Sequence, residues 1–283
     1  MEKVSLLSNK KLLDLIFFVS SIIYILTLDR YIINLLEYFF SGKNINLIDF
    51  LFFTLFSLFS YISIKYWAKI TNISNQMVNI LLLFITVLSI IKIIFSSDSI
   101  EILIDVIILD FGAIYVIYEI VKRSHVKPDR WLGINKFKIE NLRYAGFYFI
   151  AWPVIIIWSQ IIEFFDLDFF KSTNYSEEIF SSLNNNYLVI FIMACIVAPI
   201  CEEIIFRGYF FRVLKERFNL LFAIIINSIF FGLIHFEPSA IVPATILGVS
   251  LTLIRLKAKS LLLPITIHAL HNLLAFIVTY LTL

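Results

Sequence analysis

Glu202 and Glu203 stand side by side in an otherwise apolar run, and Arg207 follows four residues after the second. Adjacent residues on a helix point about 100° apart, so the two carboxylates cannot easily share one partner. Glu203 and Arg207 lie on one face and can form an ion pair, which leaves Glu202 free to act as a general base. A second polar element, Phe231 to His235, ends another apolar run; a third, His268 to Asn272, places His268 and Asn272 on one helical face, with His271 close to it. Each element alone has a plainer reading: a solvated helix end for the glutamates, a hydrogen-bonded structural residue for His235, an interhelical hydrogen bond for the His/Asn pair. Together they say more. Three of the chain's four histidines lie beyond residue 234, and two carboxylates precede them on a separate segment. Glu, His, His and Asn converging from three helices can hold a water, directly or through a divalent metal, and make it a nucleophile toward an amide carbonyl.

The elements that must position these groups are membrane helices. The chain has 283 residues, 60% of them hydrophobic, including 30 Phe, with a mean hydropathy of +0.93. That is too apolar for a soluble domain. Runs near 12–28, 47–64, 78–95, 100–120, 144–162, 187–207, 219–236, 240–254 and 261–281 predict an all-α, polytopic transmembrane bundle of eight or nine spans. The runs 100–120 and 240–254 are the weakest. The basic start, with Lys3, Lys10 and Lys11, is read as the flank of a retained first helix, because no small-residue cleavage site follows. With a cytoplasmic N-terminus and an external C-terminus, Lys and Arg fall nineteen inside to three outside, the latter being Arg30, Lys43 and Lys171. The charged loop 121–143, which bears Lys136, Pro128 and Gly133, divides a four-helix region, 1–120, from a C-terminal unit, 144–283. A net charge of +2 spread over membrane loops excludes a nucleic-acid partner. Cys195 and Cys201 lack the spacing of a redox or zinc pair and read as packing residues.

The order EExxxR (Glu202, Glu203, Arg207), FxxxH (Phe231, His235) and HxxxN (His268, Asn272) resembles the CPBP family, the type II CAAX prenyl endopeptidases and the bacteriocin-processing or immunity proteins. Pro199 and the small-residue helix with Gly248 are similar as well. The likeness covers about residues 144 to 283. It implies an intramembrane endopeptidase acting on membrane-associated or hydrophobic peptides, with Glu202 and His235 activating water. His268 and Asn272 would then stabilise the oxyanion or complete a site for a divalent metal held by Glu202, His235, His268 and Asn272, zinc by ligand type. Glu203 and Arg207 look like a structural ion pair. The bias toward Ile, Phe, Asn and Lys suggests a bacterial cell membrane.

Depth sets one further expectation. At about 1.5 Å per residue, His268 lies roughly 10 Å and His235 roughly 24 Å from the inner loops, while Glu202 is too shallow if its helix stops at Arg207. Continuing that helix to near Lys215 brings Glu202 to about 20 Å and makes Arg207 a buried residue. Two other functions remain compatible with the sequence: an ion-coupled carrier, for which Lys92, Glu101, Asp105 and Asp110 would supply intramembrane charge, and a non-catalytic immunity or scaffold protein of the same fold.

Overall fold

The structure, a computed structural model, describes residues 2–40, 47–95, 98–123, 127–134, 138–171, 186–235 and 237–282. Lys43 and Lys136 lie outside the described residues, as do the side chains of Lys3, Lys10, Lys11 and Glu101. Among the described residues every regular element is helical, and the chain is a polytopic helical membrane protein. It divides into two compact units, Met1–Val126 and Lys127–Leu283, the division falling inside the charged segment 121–143.

The first unit holds four helices: α1 (Glu2–Phe40), α2 (Leu47–Ile70), α3 (Asn75–Phe95) and α4 (Asp98–Lys122). The 39 residues of α1 run well past the apolar stretch 12–28, and at 1.5 Å per residue exceed what a bilayer core requires. Phe17, Tyr24 and Ile25 of α1 pack inward with Ile64 of α2, Met77, Leu81 and Ile85 of α3, and Val116 and Ile117 of α4. Three intramembrane charges of this unit meet at Lys92. Lys92 of α3 is buried, donates to Asp105 of α4 and lies 3.7 Å from Asp29 of α1, whose other oxygen accepts from Ser89 at 2.7 Å. A buried Lys between two carboxylates is tolerable where each alone would not be.

In the second unit the segment expected as a loop is partly structured. Pro128 opens α5 (Pro128–Leu132), which ends on Gly133 at φ 81, a left-handed position where glycine has no Cβ to clash. A 3-10 segment (Ile139–Ala145) leads into α6 (Gly146–Phe164), whose outer surface carries Phe149, Ile150, Ile156 and Ile157. Polar anchors from later helices fasten α5. Arg212 donates to the Trp131 carbonyl and stacks over its ring at 4.3 Å, Arg255 donates to the Leu132 carbonyl at 3.1 Å, and Leu261 N–H donates to the Gly133 carbonyl at 2.9 Å.

The remaining helices are α7 (Tyr187–Arg217), α8 (Leu220–Leu233), α9 (Pro238–Ala258) and α10 (Leu262–Thr282). Asn186 and Asn219 cap α7 and α8 by accepting from Val189 and Phe222 N–H; Pro238 opens α9. With 31 residues, α7 does not stop at Arg207 but continues to Arg217. Two π-helical stretches, Met193–Val197 and Ile204–Phe210, interrupt it on either side of the glutamates. At the α8–α9 contact, Gly232 has no room for a side chain. A Cβ there would fall 2.1 Å from Thr245 Oγ1 and 2.4 Å from the Ile241 carbonyl oxygen. At Gly248 a Cβ would lie 3.2 Å from Ser228 and from Phe231, so small residues bring the two backbones together.

Candidate active site

Glu202 and Glu203 sit on the α-helical stretch of α7 between its two π stretches, and they differ as adjacent positions should. The Glu203 side chain is fully buried, whereas that of Glu202 keeps 18% of its surface accessible. Arg207, 1% exposed, donates from Nη1 to Glu203 Oε1 at 2.7 Å and from Nη2 to the Gly248 carbonyl at 3.1 Å. Its guanidinium also lies 4.1 Å above the Phe231 ring. Burial of Arg207 thus follows from three partners: a carboxylate, the Gly248 carbonyl that it shares with the Thr252 hydroxyl, and an aromatic face.

His268, 2% exposed on α10, is set between the glutamates. Its Nδ1 lies 3.1 Å from Glu203 Oε1 and its Nε2 3.8 Å from Glu202 Oε2. An ionised carboxylate only accepts, so Nδ1 carries a proton toward Glu203, and in the tautomer protonated there alone Nε2 turns a lone pair toward Glu202. The two facing atoms are both acceptors. Glu202 Oε2 has no hydrogen-bond partner among the described residues although the atom is buried. A group donating to both Nε2 and Oε2 would satisfy the pair.

His235 follows the last turn of α8, and its Nδ1 donates to the Phe231 carbonyl at 2.8 Å, which again leaves Nε2 as the acceptor. Phe231 stands between the two imidazoles, its ring centroid 5.2 Å from that of His235 and 5.6 Å from that of His268. The phenylalanine of the second motif is therefore the packing surface shared by both histidines and Arg207. Asn272 is turned toward α7, where its Nδ2 donates to the Ala194 carbonyl at 2.8 Å. His271, on the same helix, meets the Tyr148 hydroxyl at 3.1 Å and packs against Trp152.

The structure thus brings Glu202, Glu203, Arg207 and His268 together in direct contact, attaches His235 through Phe231, and commits one amide hydrogen of Asn272 to the backbone. Sequence reasoning missed the Glu203–His268 contact and the participation of Tyr148 and Trp152. The first joins residues 65 positions apart, and the second comes from a helix with no motif of its own. The HxxHN spacing, with His271 one turn from His268, was the available signal.

A tetrahedral zinc needs four donors at about 2.0–2.2 Å. Glu203 and Glu202 approach the two nitrogens of His268 at 3.1 and 3.8 Å, and among the described residues no group of three His, Cys, Asp or Glu side chains is placed to hold a metal ion. The residues as arranged do not make a metal centre. The chemistry on hand is that of a carboxylate and imidazoles.

Comparison with known proteins agrees with the motif-bearing segment. The family model "Type II CAAX prenyl endopeptidase Rce1-like" matches residues 184–274. The chain is also similar to the "Putative membrane peptidase YdiL" of Bacillus subtilis (strain 168), with 36% identity over 81 residues, covering 29% of this chain and 33% of that relative. The match thus spans about a third of the curated relative's length. No solved structure matches the chain. All three polar motifs fall inside the matched segment, so the C-terminal part of the chain, residues 184–274, is similar to the Rce1-like type II CAAX prenyl endopeptidases.

Proposed function

We propose that the protein is an intramembrane endopeptidase in which Glu202 is the general base. The observation that carries this reading is the approach of Glu202 Oε2 to His268 Nε2 across 3.8 Å, with the buried Oε2 accepting from no donor among the described residues. A water donating to both would be oriented and polarised. In the reaction, the water oxygen attacks the amide carbonyl carbon as Glu202 takes its proton. The carbonyl oxygen becomes an oxyanion, and collapse of the tetrahedral intermediate breaks the C–N bond, the leaving amine taking the proton from Glu202. Glu203 holds the Nδ1 proton of His268 and so keeps the Nε2 lone pair turned to the water, as a carboxylate orients the imidazole of a hydrolytic triad. His235, with its Nδ1 fixed on Phe231, supplies a second imidazole acceptor beside the same ring.

The substrate class follows from the setting. All of these groups sit on helices whose outer faces are apolar, so a peptide must reach them from the bilayer, as a membrane-tethered or lipidated chain can. The Rce1-like match supports a C-terminally prenylated peptide as the first one to try. Positive charge at the ends read as inside supports a cytoplasmic N-terminus. The direct test is quantitative proteomics of membranes from cells carrying wild type or Glu202→Gln. A hydrophobic precursor that accumulates uncleaved only with Glu202→Gln is the expected result; identical membrane proteomes would remove Glu202 from the role of base.

A further inference from the structure

Asn227 and Thr252 are polar, lie outside the three motifs, and are fully buried. Asn227 stands on α8 one turn before Phe231, on the same helical face, and Thr252 stands on α9 one turn after Gly248. Asn227 Nδ2 donates to Thr252 Oγ1 at 3.1 Å, and the Thr252 hydroxyl donates to the Gly248 carbonyl at 2.7 Å. That carbonyl also receives Arg207 Nη2 at 3.1 Å. Arg207 Nη1 reaches Glu203 Oε1 at 2.7 Å, the same oxygen that His268 Nδ1 approaches at 3.1 Å. One path of hydrogen bonds therefore runs from α8 through α9 and α7 to the imidazole on α10.

Chemistry sets the direction of the first steps. A carbonyl only accepts, so the single hydrogen of the Thr252 hydroxyl goes to Gly248. Oγ1 can then only accept from Asn227, which fixes the amide with Nδ2 toward it. Back-bonding of a threonine to the carbonyl four residues earlier bends a helix, and here that carbonyl serves a donor from another helix, Arg207. The consequence falls on the ion pair. An arginine and a carboxylate commonly close with two parallel arms. Glu203 and Arg207 use one arm, because Nη2 is diverted to Gly248, and the buried Glu203 Oε2 and Arg207 Nε meet no hydrogen-bond partner among the described residues. Without the anchor at Gly248 the guanidinium would be free to close on both oxygens of Glu203, and Oε1 would turn away from His268.

We propose that Thr252, with Asn227 behind it, is a positioning residue of the active site. It presents the Gly248 carbonyl to Arg207, which keeps the Glu203–Arg207 pair one-armed and Glu203 Oε1 on His268 Nδ1. The effect on cleavage rests on the reading of Glu202 as base; the effect on His268 does not.

Two measurements test it on the full chain in lipid nanodiscs. In 15N-histidine spectra, with His268 assigned by its loss in His268→Gln, wild type is expected to show a protonated Nδ1, and Thr252→Val a mixture of the two tautomers. On the precursor that accumulates with Glu202→Gln, Thr252→Val is expected to lower kcat about 10-fold and Asn227→Leu about threefold, with KM within about twofold. Thr252→Ser keeps the hydroxyl and should hold kcat within about twofold. Thr252→Cys differs from Thr252→Ser only in the donor atom, so the pair tests the hydroxyl even if the valine variant fails to fold; a kcat about threefold below that of Thr252→Ser is expected. A role in packing alone would lower the unfolding temperature and leave the His268 spectrum as in wild type. An unchanged His268 spectrum in Thr252→Cys, and in Thr252→Val where it folds, overturns the positioning role. So does equal kcat in the serine and cysteine variants, on a precursor that Glu202→Gln fails to cleave. A shifted His268 spectrum with no accumulated precursor overturns the base assignment and leaves the positioning role standing.

Discussion

Asn272 Nδ2 donates to the Ala194 carbonyl, and Pro199 is the reason that this carbonyl is open to it. In the π stretch Met193–Val197 the carbonyl of Met193 accepts from Ala198 N–H, five residues on. The next bond in that register would run from the N–H of residue 199 to Ala194, but proline has no N–H. The asparagine side chain of α10 fills the missing donor and joins α10 to the wall of the site.

A double-variant cycle follows from this bond. Asn272→Ala leaves a buried carbonyl unsatisfied and should cost about 1 to 3 kcal/mol in thermal unfolding in detergent. Pro199→Ala supplies an N–H in the same place. The combination should recover most of the stability that Asn272→Ala loses, and strict additivity of the two would show that Pro199 and Asn272 do not meet at Ala194.

The first motif separates stability from chemistry. Arg207→Ala leaves the buried Glu203 carboxylate uncompensated and should cost about 3 to 5 kcal/mol. Replacing Glu203 and Arg207 together by Leu and Met should recover folding, because removing a whole buried ion pair is often nearly neutral. It should not recover cleavage, because His268 then loses the carboxylate that holds its Nδ1 proton. Full activity in the double variant would reduce Glu203 to a structural counter-charge.

The close approach of α8 and α9 is testable at one atom. A methyl group on Gly232 must displace the Ile241 carbonyl and Thr245, both held by the backbone of α9. Gly232→Ala is expected to destabilise the second unit by about 1 to 3 kcal/mol and to lower cleavage through displacement of Phe231, its neighbour in the chain. Unfolding and activity equal to wild type would mean that the two helices separate freely.

The donor geometry makes a prediction about metals. With no group of three His, Cys, Asp or Glu side chains placed around one point among the described residues, extended dialysis of the purified protein against EDTA and 1,10-phenanthroline should leave cleavage within about twofold. Loss of activity that zinc restores would demand a rearranged site in which His235 and Asn272 also turn to the metal.

How much of this could be read from the residues divides along physical lines. The helical class and the Glu203–Arg207 pair were legible because hydropathy and a four-residue spacing are properties of a single segment. Continuation of α7 past Arg207 was legible from depth, since a carboxylate cannot work too near the inner surface, and the helix does run to Arg217. The π stretches were not legible. They come from accommodation of α7 to its neighbours, and apolar residues such as Ile204 and Ile205 suit either register. Nor did the HxxxN pattern reveal that Asn272 would turn to Ala194, because that choice depends on a carbonyl left open 78 residues earlier. The segment 121–143, read as a loop from its charge, holds α5 because Arg212 and Arg255 satisfy carbonyls that would otherwise need water.

The fastening of α5 also orders the assembly of the second unit. The carbonyls of Trp131, Leu132 and Gly133 leave the ribosome long before Arg212, Arg255 and Leu261, the three residues that satisfy them. A chain emerges from its N-terminus, so α5 must wait at the membrane surface until α7, α9 and the start of α10 have been inserted. Its docking marks the completion of these helices, and a chain arrested before Arg255 would expose Trp131 and Leu132 to the quality-control proteases that recognise unfinished membrane proteins.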